Sequence, residues 1–319
     1  MVLDKVTAAI ETMHKLTLAT LLFVLTCTHS HANAAVWQPA PGHVQVPIWP
    51  GTLPDAISNP KAESGDSDGG AFDVSQPTMT VYEAQGRNTG AAVVVFPGGG
   101  YQALAMVGEG TAVCDWLASR GITCVLLKYR VPDSGPTMKN GHSYYPKVQT
   151  AVQDAQRTLR LVRQHALEWH VDPRKIGVLG FSAGGHLAAA VSTRFAQPTY
   201  LPVDDADELS CRPDFAALVY PGHLWTPGTT LTLRSDIHVR PDTPPTFLVQ
   251  AEDDRVDPVK HSLTYYAALQ AAGVPSELHL YAQGGHAFGI RPTQRPISRW
   301  PGLLEQWLHT IAVLEPQEN

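Results

Sequence analysis

A serine stands in the pentapeptide Gly180-Phe181-Ser182-Ala183-Gly184, between a run that predicts a strand and a run that predicts a helix. This G-x-S-x-G spacing is typical of a tight turn that exposes a serine hydroxyl at the tip of a sheet. Glycines are needed on both sides because larger side chains would collide in the turn. The helix N-terminus behind the serine places positive partial charge near a developing oxyanion. The pattern therefore predicts that Ser182 is a nucleophile, the alternative being a serine that only caps the helix.

A serine nucleophile needs a general base and an acid that orients it, and after such a turn the chain order is serine, acid, histidine. Four carboxylates follow a later predicted strand, at Glu252, Asp253, Asp254 and Asp257. We predict Asp254 as the acid, because it lies far enough into the loop to turn toward the serine, and keep Asp257 in reserve. Of the four histidines that follow, only His286 lies in a loop after a strand, between glycines. It is the predicted base.

A second glycine cluster, Pro97-Gly98-Gly99-Gly100, follows another predicted strand. Its spacing also fits the G-x-G-x-x-A turn of dinucleotide-binding proteins, and Arg130 after the next strand would suit a 2′-phosphate. Pro97 and a further strand upstream argue against that interpretation, which also leaves the serine, acid and histidine unexplained. We favour backbone N–H donors for an oxyanion, from Gly99, Gly100 and Ala183.

The elements that must position these residues alternate along the chain. Strands are predicted near 44–49 and at 78–83, 93–96, 123–128, 175–180, 215–220, 246–251 and 276–281. Helices are predicted at 110–119, 148–165, 183–194, 259–272 and 297–313. This alternation predicts an α/β fold with a mostly parallel central sheet and helices on both faces. The candidate residues follow strands, so they should meet at the carboxyl edge of the sheet.

The composition limits the kinds of partner and the number of domains that the chain can have. The 319 residues are 44% hydrophobic, enough to bury a substantial core in one large α/β domain or in two, and the net charge is −6 with no run of Lys and Arg. We therefore expect no nucleic-acid partner. No linker divides the chain after its leader, and we predict a catalytic domain over 71–319 preceded by an extended segment over 35–70.

The N-terminal sequence predicts a signal peptide over residues 1–34. Leu16 to Cys27 is apolar but short for a membrane span, and Ala32-Asn33-Ala34 offers small residues for cleavage after Ala34. Met13 is an alternative start, and a buried N-terminal helix is the alternative interpretation. The mature protein is expected to be secreted or periplasmic and free of the membrane.

Three cysteines remain after that cleavage, Cys114, Cys124 and Cys211. Their odd number leaves at least one free thiol unless chains pair. No disulfide framework or zinc site is suggested, and we expect small buried apolar residues.

Five segments carry a family resemblance: FPGGGYQALA, LKYRVP, VDPRKIGVLGFSAGGHLAA, AEDDRVDPVKHS and GVPSELHLYAQGGHAFG. They resemble bacterial α/β-hydrolases of the acetylxylan and feruloyl esterase type, relatives of hormone-sensitive lipase and dienelactone hydrolase. The resemblance implies an α/β-hydrolase fold and a carbohydrate-ester hydrolase with the catalytic residues given above. Pro97 replaces the histidine of the HGGG motif in the lipase branch, so the loop must be held differently. Asp257 stands where relatives often carry an apolar residue.

The chemistry expected is ester hydrolysis through an acyl-enzyme, with no metal and no cofactor. Predicted substrate contacts are Tyr101, Tyr145 and Trp225, from a cluster that also includes Tyr129, Tyr144 and His223. These rings are expected either to stack on a sugar or feruloyl group or to pack loops. The alternatives are a serine peptidase of the prolyl oligopeptidase type and an NAD(P)-binding oxidoreductase. The sequence leaves the oligomeric state open.

Overall fold

The computed structural model describes residues 35–132 and 148–315, together with the backbone of two short strands at 137–139 and 142–144. The predicted signal peptide, residues 1–34, lies outside the described residues, and so does Tyr145.

A central sheet of eight strands forms the framework. In spatial order its strands are β1 (Gln45–Pro47), β4 (Thr78–Tyr82), β7 (Thr123–Lys128), β5 (Ala92–Phe96), β10 (Ile176–Phe181), β11 (Ala216–Val219), β12 (Thr246–Ala251) and β13 (Ser276–Tyr281). The six strands from β7 to β13 in this order run parallel, and β4 pairs antiparallel with both β1 and β7. The predicted α/β class with a mostly parallel sheet is confirmed.

Apolar, β-branched sequence explains why the central strands lie where they do. β5 reads Ala-Val-Val-Val-Phe, and every residue of β5 and β10 is buried. Strands buried on both faces are typical of parallel sheets covered by helices. At the edge, β13 is only partly buried.

The helices are α1 (Ala112–Ser119), α2 (Val148–Gln164), α3 (Ala183–Arg194), α4 (Lys260–Ala271) and α5 (Trp300–Thr310). A π-helical turn, Val107–Thr111, precedes α1, and a 3₁₀ turn, Pro296–Arg299, precedes α5. The last helix is therefore shorter than predicted, and Pro301 lies in its first turn, where a missing N–H costs nothing. Among the described residues no helix is both long and apolar enough to cross a membrane.

The segment over 35–70 is tied into the fold by two sheets. Its strand β1 confirms the strand predicted near 44–49. A small sheet joins β2 (Ser64–Gly65) and β3 (Gly70–Phe72) to β6 (Ala103–Ala105), directly after the glycine cluster. The backbone segments at 137–139 and 142–144 form a hairpin, β8 and β9.

The cysteine expectation was wrong for two of the three residues. Cys114 of α1 and Cys124 of β7 form a disulfide, since the crossover from helix to strand brings their Cα atoms within 5.1 Å. Cys211 is buried and free, as expected of a small apolar residue.

Candidate active site

The turn that carries Ser182 is as tight as its glycines predicted. Ser182 adopts φ 49° and ψ −117°, between the end of β10 and the start of α3. A Cβ at Gly180 would lie 2.0 Å from the carbonyl oxygen of Gly184, and a Cβ at Gly184 would lie 2.1 Å from that of Phe96. Only glycine fits at either position: Gly180 because of the turn itself, and Gly184 because the end of the neighbouring strand β5 approaches the turn.

Ser182, His286 and Asp254 come together from three different strand ends. The Oγ of Ser182 lies 3.1 Å from Nε2 of His286, and Nδ1 of His286 lies 2.7 Å from Oδ2 of Asp254. Because a carboxylate only accepts hydrogen bonds, Nδ1 carries the ring proton and Nε2 is left to accept one. The order and spacing are those of a nucleophile, a general base and an orienting acid.

Asp254 is held for this task by its own loop. Its Oδ1 accepts the N–H groups of Val256 and Asp257 at 2.9 Å, and its Oδ2 also accepts from Nε2 of Gln250 at 3.1 Å. Asp257, the reserve acid, lies on the other side of the imidazole. Its Oδ2 is 3.8 Å from Nε2 of His286 and 3.1 Å from Oγ of Ser182. The geometry therefore favours Asp254 as the acid.

The electrostatics suit a base that takes up a proton. Burial lowers the pKa of His286, but the hydrogen bond and charge of Asp254, with the charges of Asp257 and Glu109, outweigh burial and raise it overall. Asp253 contributes indirectly: its Oδ1 accepts the N–H groups of Gly284 and Gly285 at 2.8 and 2.7 Å. This fixes the loop that carries the histidine.

The glycine cluster lies directly against the nucleophile. A Cβ at Gly98 would stand 3.0 Å from Cβ of Ser182. The N–H of Gly98 is occupied by Oε2 of Glu109 at 2.7 Å, whereas those of Gly99 and Gly100 donate to no acceptor within the described part of the chain. Gly99 has φ +134°, and its Cβ would lie 2.1 Å from the carbonyl oxygen of Ala103. Gly99 and Gly100 thus retain N–H groups that an oxyanion can use.

Three side chains hold this loop, and of these the sequence analysis named only Tyr129, as a member of the aromatic cluster. The hydroxyl of Tyr129 donates to the carbonyl of Pro97 at 2.7 Å. Glu109 accepts from Gly98 and, through Oε1, from the hydroxyl of Tyr220 at 2.8 Å. These bonds brace the loop in the absence of the histidine that Pro97 replaces.

Glu109 lies in the π-helical turn, one residue before the predicted start of the helix at 110. It is buried, and burial raises its pKa against the hydrogen bonds from Tyr220 and Gly98. The signal available in the sequence was a carboxylate between Gly108 and Gly110, shortly after the glycine cluster. Single turns of π-helix are frequent at functional sites.

The predicted substrate contacts differ in whether their side chains are exposed. The prediction for Tyr101 as a stacking surface was wrong, because its ring is fully buried and its hydroxyl lies 2.8 Å from Nδ1 of His186. Tyr129 is equally buried. Trp225 is partly exposed, with the ammonium of Lys260 4.6 Å from its ring centre, and its contact with substrate stays a prediction.

Arg130, the residue that would have suited a 2′-phosphate, is engaged elsewhere. It is buried and pairs with Asp154 at 2.8 Å, and its guanidinium also donates to the carbonyl of Pro54 at 2.6 Å. Its hydrogen-bonding capacity serves the fold, which removes one support of the dinucleotide interpretation.

Two family models match separate parts of the chain. One described as BD-FAE matches residues 79–204, and that of the prolyl oligopeptidase family matches residues 229–310. An acetylxylan esterase from Xylanibacter ruminicola is 31% identical over 258 residues, which are 72% of this chain and 47% of that protein. An endo-1,4-beta-xylanase B from Butyrivibrio fibrisolvens is 27% identical over 66% of this chain and 34% of its own length. The chain thus spans half or less of these curated relatives.

One solved structure matches this chain over nearly the whole length of that structure. The acetyl ester-xyloside bifunctional hydrolase from Caldicellulosiruptor lactoaceticus is 30% identical, with a TM-score of 0.69 over 89% of this chain and 99% of that one. This chain belongs to the α/β-hydrolases. The fold of this α/β-hydrolase is shared with esterase 2 of Thermogutta terrifontis, which is 24% identical with a TM-score of 0.64 over 88% of this chain and 96% of that one.

Proposed function

We propose that this α/β-hydrolase is a serine carboxylic ester hydrolase that acts on carbohydrate esters, with Ser182 as nucleophile, His286 as base and Asp254 as acid. The observation that carries the proposal is the continuous chain of hydrogen bonds from the serine hydroxyl to the buried carboxylate of Asp254. It lies beside the N–H groups of Gly99 and Gly100, which find no acceptor among the residues that the structure describes.

The proposed reaction uses each of these groups in turn. His286 takes the proton of Ser182 as Oγ bonds to the ester carbon and the carbonyl electron pair moves to oxygen. The N–H groups of Gly99, Gly100 and Ala183 receive that oxyanion. His286 then protonates the departing alcohol, and water repeats the sequence on the acyl-enzyme.

The carbohydrate-ester substrate class rests on similarity. One relative named above is an acetylxylan esterase, and the name of the other specifies a bifunctional hydrolase of acetyl esters and xylosides. We propose acetyl esters of xylan-type sugars for this chain too, and feruloyl esters as the alternative acyl group.

Secretion or a periplasmic location belongs to the same proposal. The disulfide between Cys114 and Cys124 supports it, since disulfides persist in oxidising compartments. Mass spectrometry of the mature N-terminus tests the cleavage expected after Ala34.

A serine peptidase is the second candidate, because the region from 229 to 310, which includes Asp254 and His286, matches the prolyl oligopeptidase family. The same catalytic residues would serve amide hydrolysis, so substrate assays must separate the two.

The deciding experiment compares the wild type with Ser182→Ala on 4-nitrophenyl acetate, acetylated xylan and a 4-nitroanilide peptide. We expect release of nitrophenol and acetate by the wild type, and loss of roughly 10³-fold or more in the variant. Cleavage of the anilide without acetate release would instead establish the peptidase, and an active Ser182→Ala would reject the nucleophile.

A further inference from the structure

A second carboxylate touches the nucleophile. Oδ2 of Asp257 lies 3.1 Å from Oγ of Ser182 and 3.8 Å from Nε2 of His286. The side chain of Asp254 is 0% exposed behind the histidine, whereas that of Asp257 is 12% exposed. Asp257 therefore occupies the side of the imidazole from which an ester must approach the serine.

The position of this carboxylate is built into the loop. The N–H of Asp257 donates to Oδ1 of Asp254 at 2.9 Å, and its carbonyl accepts from Nε2 of Gln250 at 2.9 Å. Oδ1 of Asp257 lies against Gly222, where a Cβ would stand only 2.5 Å away. The backbone is thus fixed by the same groups that fix the catalytic acid, and a glycine leaves room for the side chain.

The carboxylate of Asp257 loses a hydrogen-bond donor when the serine hydroxyl gives up its proton. The hydroxyl of Ser182 has one proton, which can go to Asp257 or to His286 but not to both. When Oγ bonds to the ester carbon, that proton is on Nε2 of His286, and Oδ2 of Asp257 has lost its donor. A buried or half-buried carboxylate without a donor is unfavourable.

The next step brings the alcohol half of the ester to the same place. As the bond from the acyl carbon to the alcohol oxygen breaks, that oxygen takes the proton from Nε2 of His286. Because Oδ2 of Asp257 is 3.8 Å from Nε2, the leaving alcohol must pass beside the carboxylate. A hydroxyl on the neighbouring carbon would supply the missing hydrogen bond, and a negative charge would be repelled.

We propose that Asp257 is a specificity-determining residue that selects the alcohol half of the ester. It accepts a hydrogen bond from a hydroxyl next to the esterified oxygen and disfavours alcohols that carry negative charge close to it. The substrate class is the ester of a neutral polyol, such as a sugar acetate with a free vicinal hydroxyl. This inference rests on the proposed ester hydrolysis, and Asp257 itself neither gains nor loses a proton in it.

Two pairs of acetates test the selection in the wild type. The first pair is 3-acetoxybenzoate and its neutral methyl ester, which differ in one negative charge. The second pair is a methyl xyloside 2-acetate with a free 3-hydroxyl and the same compound methylated at that hydroxyl. At about pH 8, where carboxyl groups are ionised, we expect kcat/KM to favour the neutral member and the free-hydroxyl member by about tenfold or more. If the wild type shows equal kcat/KM for the two members of either pair, the proposal is overturned, and no variant is needed for that result.

Variants then assign the discrimination to Asp257. Asp257→Asn keeps the shape and removes the charge, so the ratio between 3-acetoxybenzoate and its methyl ester should approach one. Glu252→Gln removes an exposed carboxylate from the same loop and is the matched control, which should keep the wild-type ratio. If the ratio of kcat/KM between 3-acetoxybenzoate and its methyl ester is the same in the wild type and in Asp257→Asn, the assignment to Asp257 is rejected. Failure of the proposed function is distinct, because all four acetates and 4-nitrophenyl acetate would then remain intact.

Discussion

At the scale of single residues, the site separates two carboxylates that lie three positions apart in one loop. Asp254 binds Nδ1 of His286 and is fully buried, while Asp257 faces Nε2 and the serine hydroxyl. An acid on the Nδ1 side orients the ring and stabilises its cation. A carboxylate on the Nε2 side competes for the serine proton, so the two should differ sharply on substitution.

Asp254→Asn should lower kcat by roughly 10³- to 10⁴-fold, since an amide at Nδ1 permits the wrong tautomer of His286. Asp257→Asn should cost far less on 4-nitrophenyl acetate, whose alcohol offers no hydroxyl to Asp257. Steady-state kinetics of the two purified variants, with circular dichroism to check folding, gives the comparison. A larger loss at Asp257 would overturn the assignment of the acid.

The pH dependence of kcat/KM provides an independent test of the carboxylate charges around His286. His286 acts as a base only when neutral, so activity falls as pH drops through its raised pKa. Asp254, Asp257 and Glu109 all favour the cation, and removing one negative charge must lower that pKa. The acidic limb of kcat/KM should therefore move to lower pH in Asp257→Asn, and a limb that stays or moves upward would contradict the electrostatic account.

At the scale of elements, the loop after β5 and the loop after β13 are joined by one buried group. Glu109 accepts the N–H of Gly98, and it also accepts from Tyr220, whose hydroxyl in turn receives the N–H of Gly289 at 3.1 Å. The ring of Tyr220 lies 5.0 Å from that of His286. The oxyanion loop and the base are thus positioned through the same short turn of π-helix.

Glu109→Ala should lower kcat by about 10²-fold, comparable with the loss of one oxyanion donor, with a smaller change in KM. Glu109→Gln keeps one acceptor oxygen and should recover part of the loss. A positioning role predicts this recovery and the separation of kcat from KM. If both variants lose only thermal stability and keep the kcat of the wild type, Glu109 has no positioning role.

At the scale of the whole molecule, non-local links hold the leading segment and the first helix to the rest of the domain. Lys128 at the end of β7 binds Glu63 of the leading segment at 2.7 Å, and Trp49 binds the buried Asp154 at 2.8 Å. The disulfide joins α1 to β7 across a separation of ten residues. These links act on the stability of the domain rather than on its chemistry.

Replacing Cys114 and Cys124 together by alanine should lower the free energy of unfolding by about 3 kcal/mol, the loop-closure term for a loop of this length. Calorimetry of the wild type with and without reductant should show a drop in melting temperature, and the double variant should not respond to reductant. Cys211→Ala, at the free buried thiol, is the control that should keep the response. Equal melting temperatures for oxidised and reduced wild type would contradict the prediction.

The sequence by itself determined the alternation of strands and helices, and several bounds match, as at 123–128, 183–194, 246–251 and 276–281. Local patterns suffice there, because buried apolar runs and helix periodicity depend on near neighbours. The same holds for Gly180 in the turn at Ser182, which is required by the backbone of Gly184 four residues away, whereas Gly184 is required by the distant backbone of Phe96.

Only the tertiary structure decided how the carboxylates divide their tasks. Asp254 and Asp257 look alike in sequence, and which nitrogen of His286 each faces depends on how β12 and β13 pair. The roles of Glu109 and Tyr220, the burial of Tyr101 and the pairing of Cys114 with Cys124 likewise depend on contacts between distant segments. Sequence patterns record the requirements of each element, whereas the meeting of side chains from different strand ends is fixed by the packing of the whole sheet.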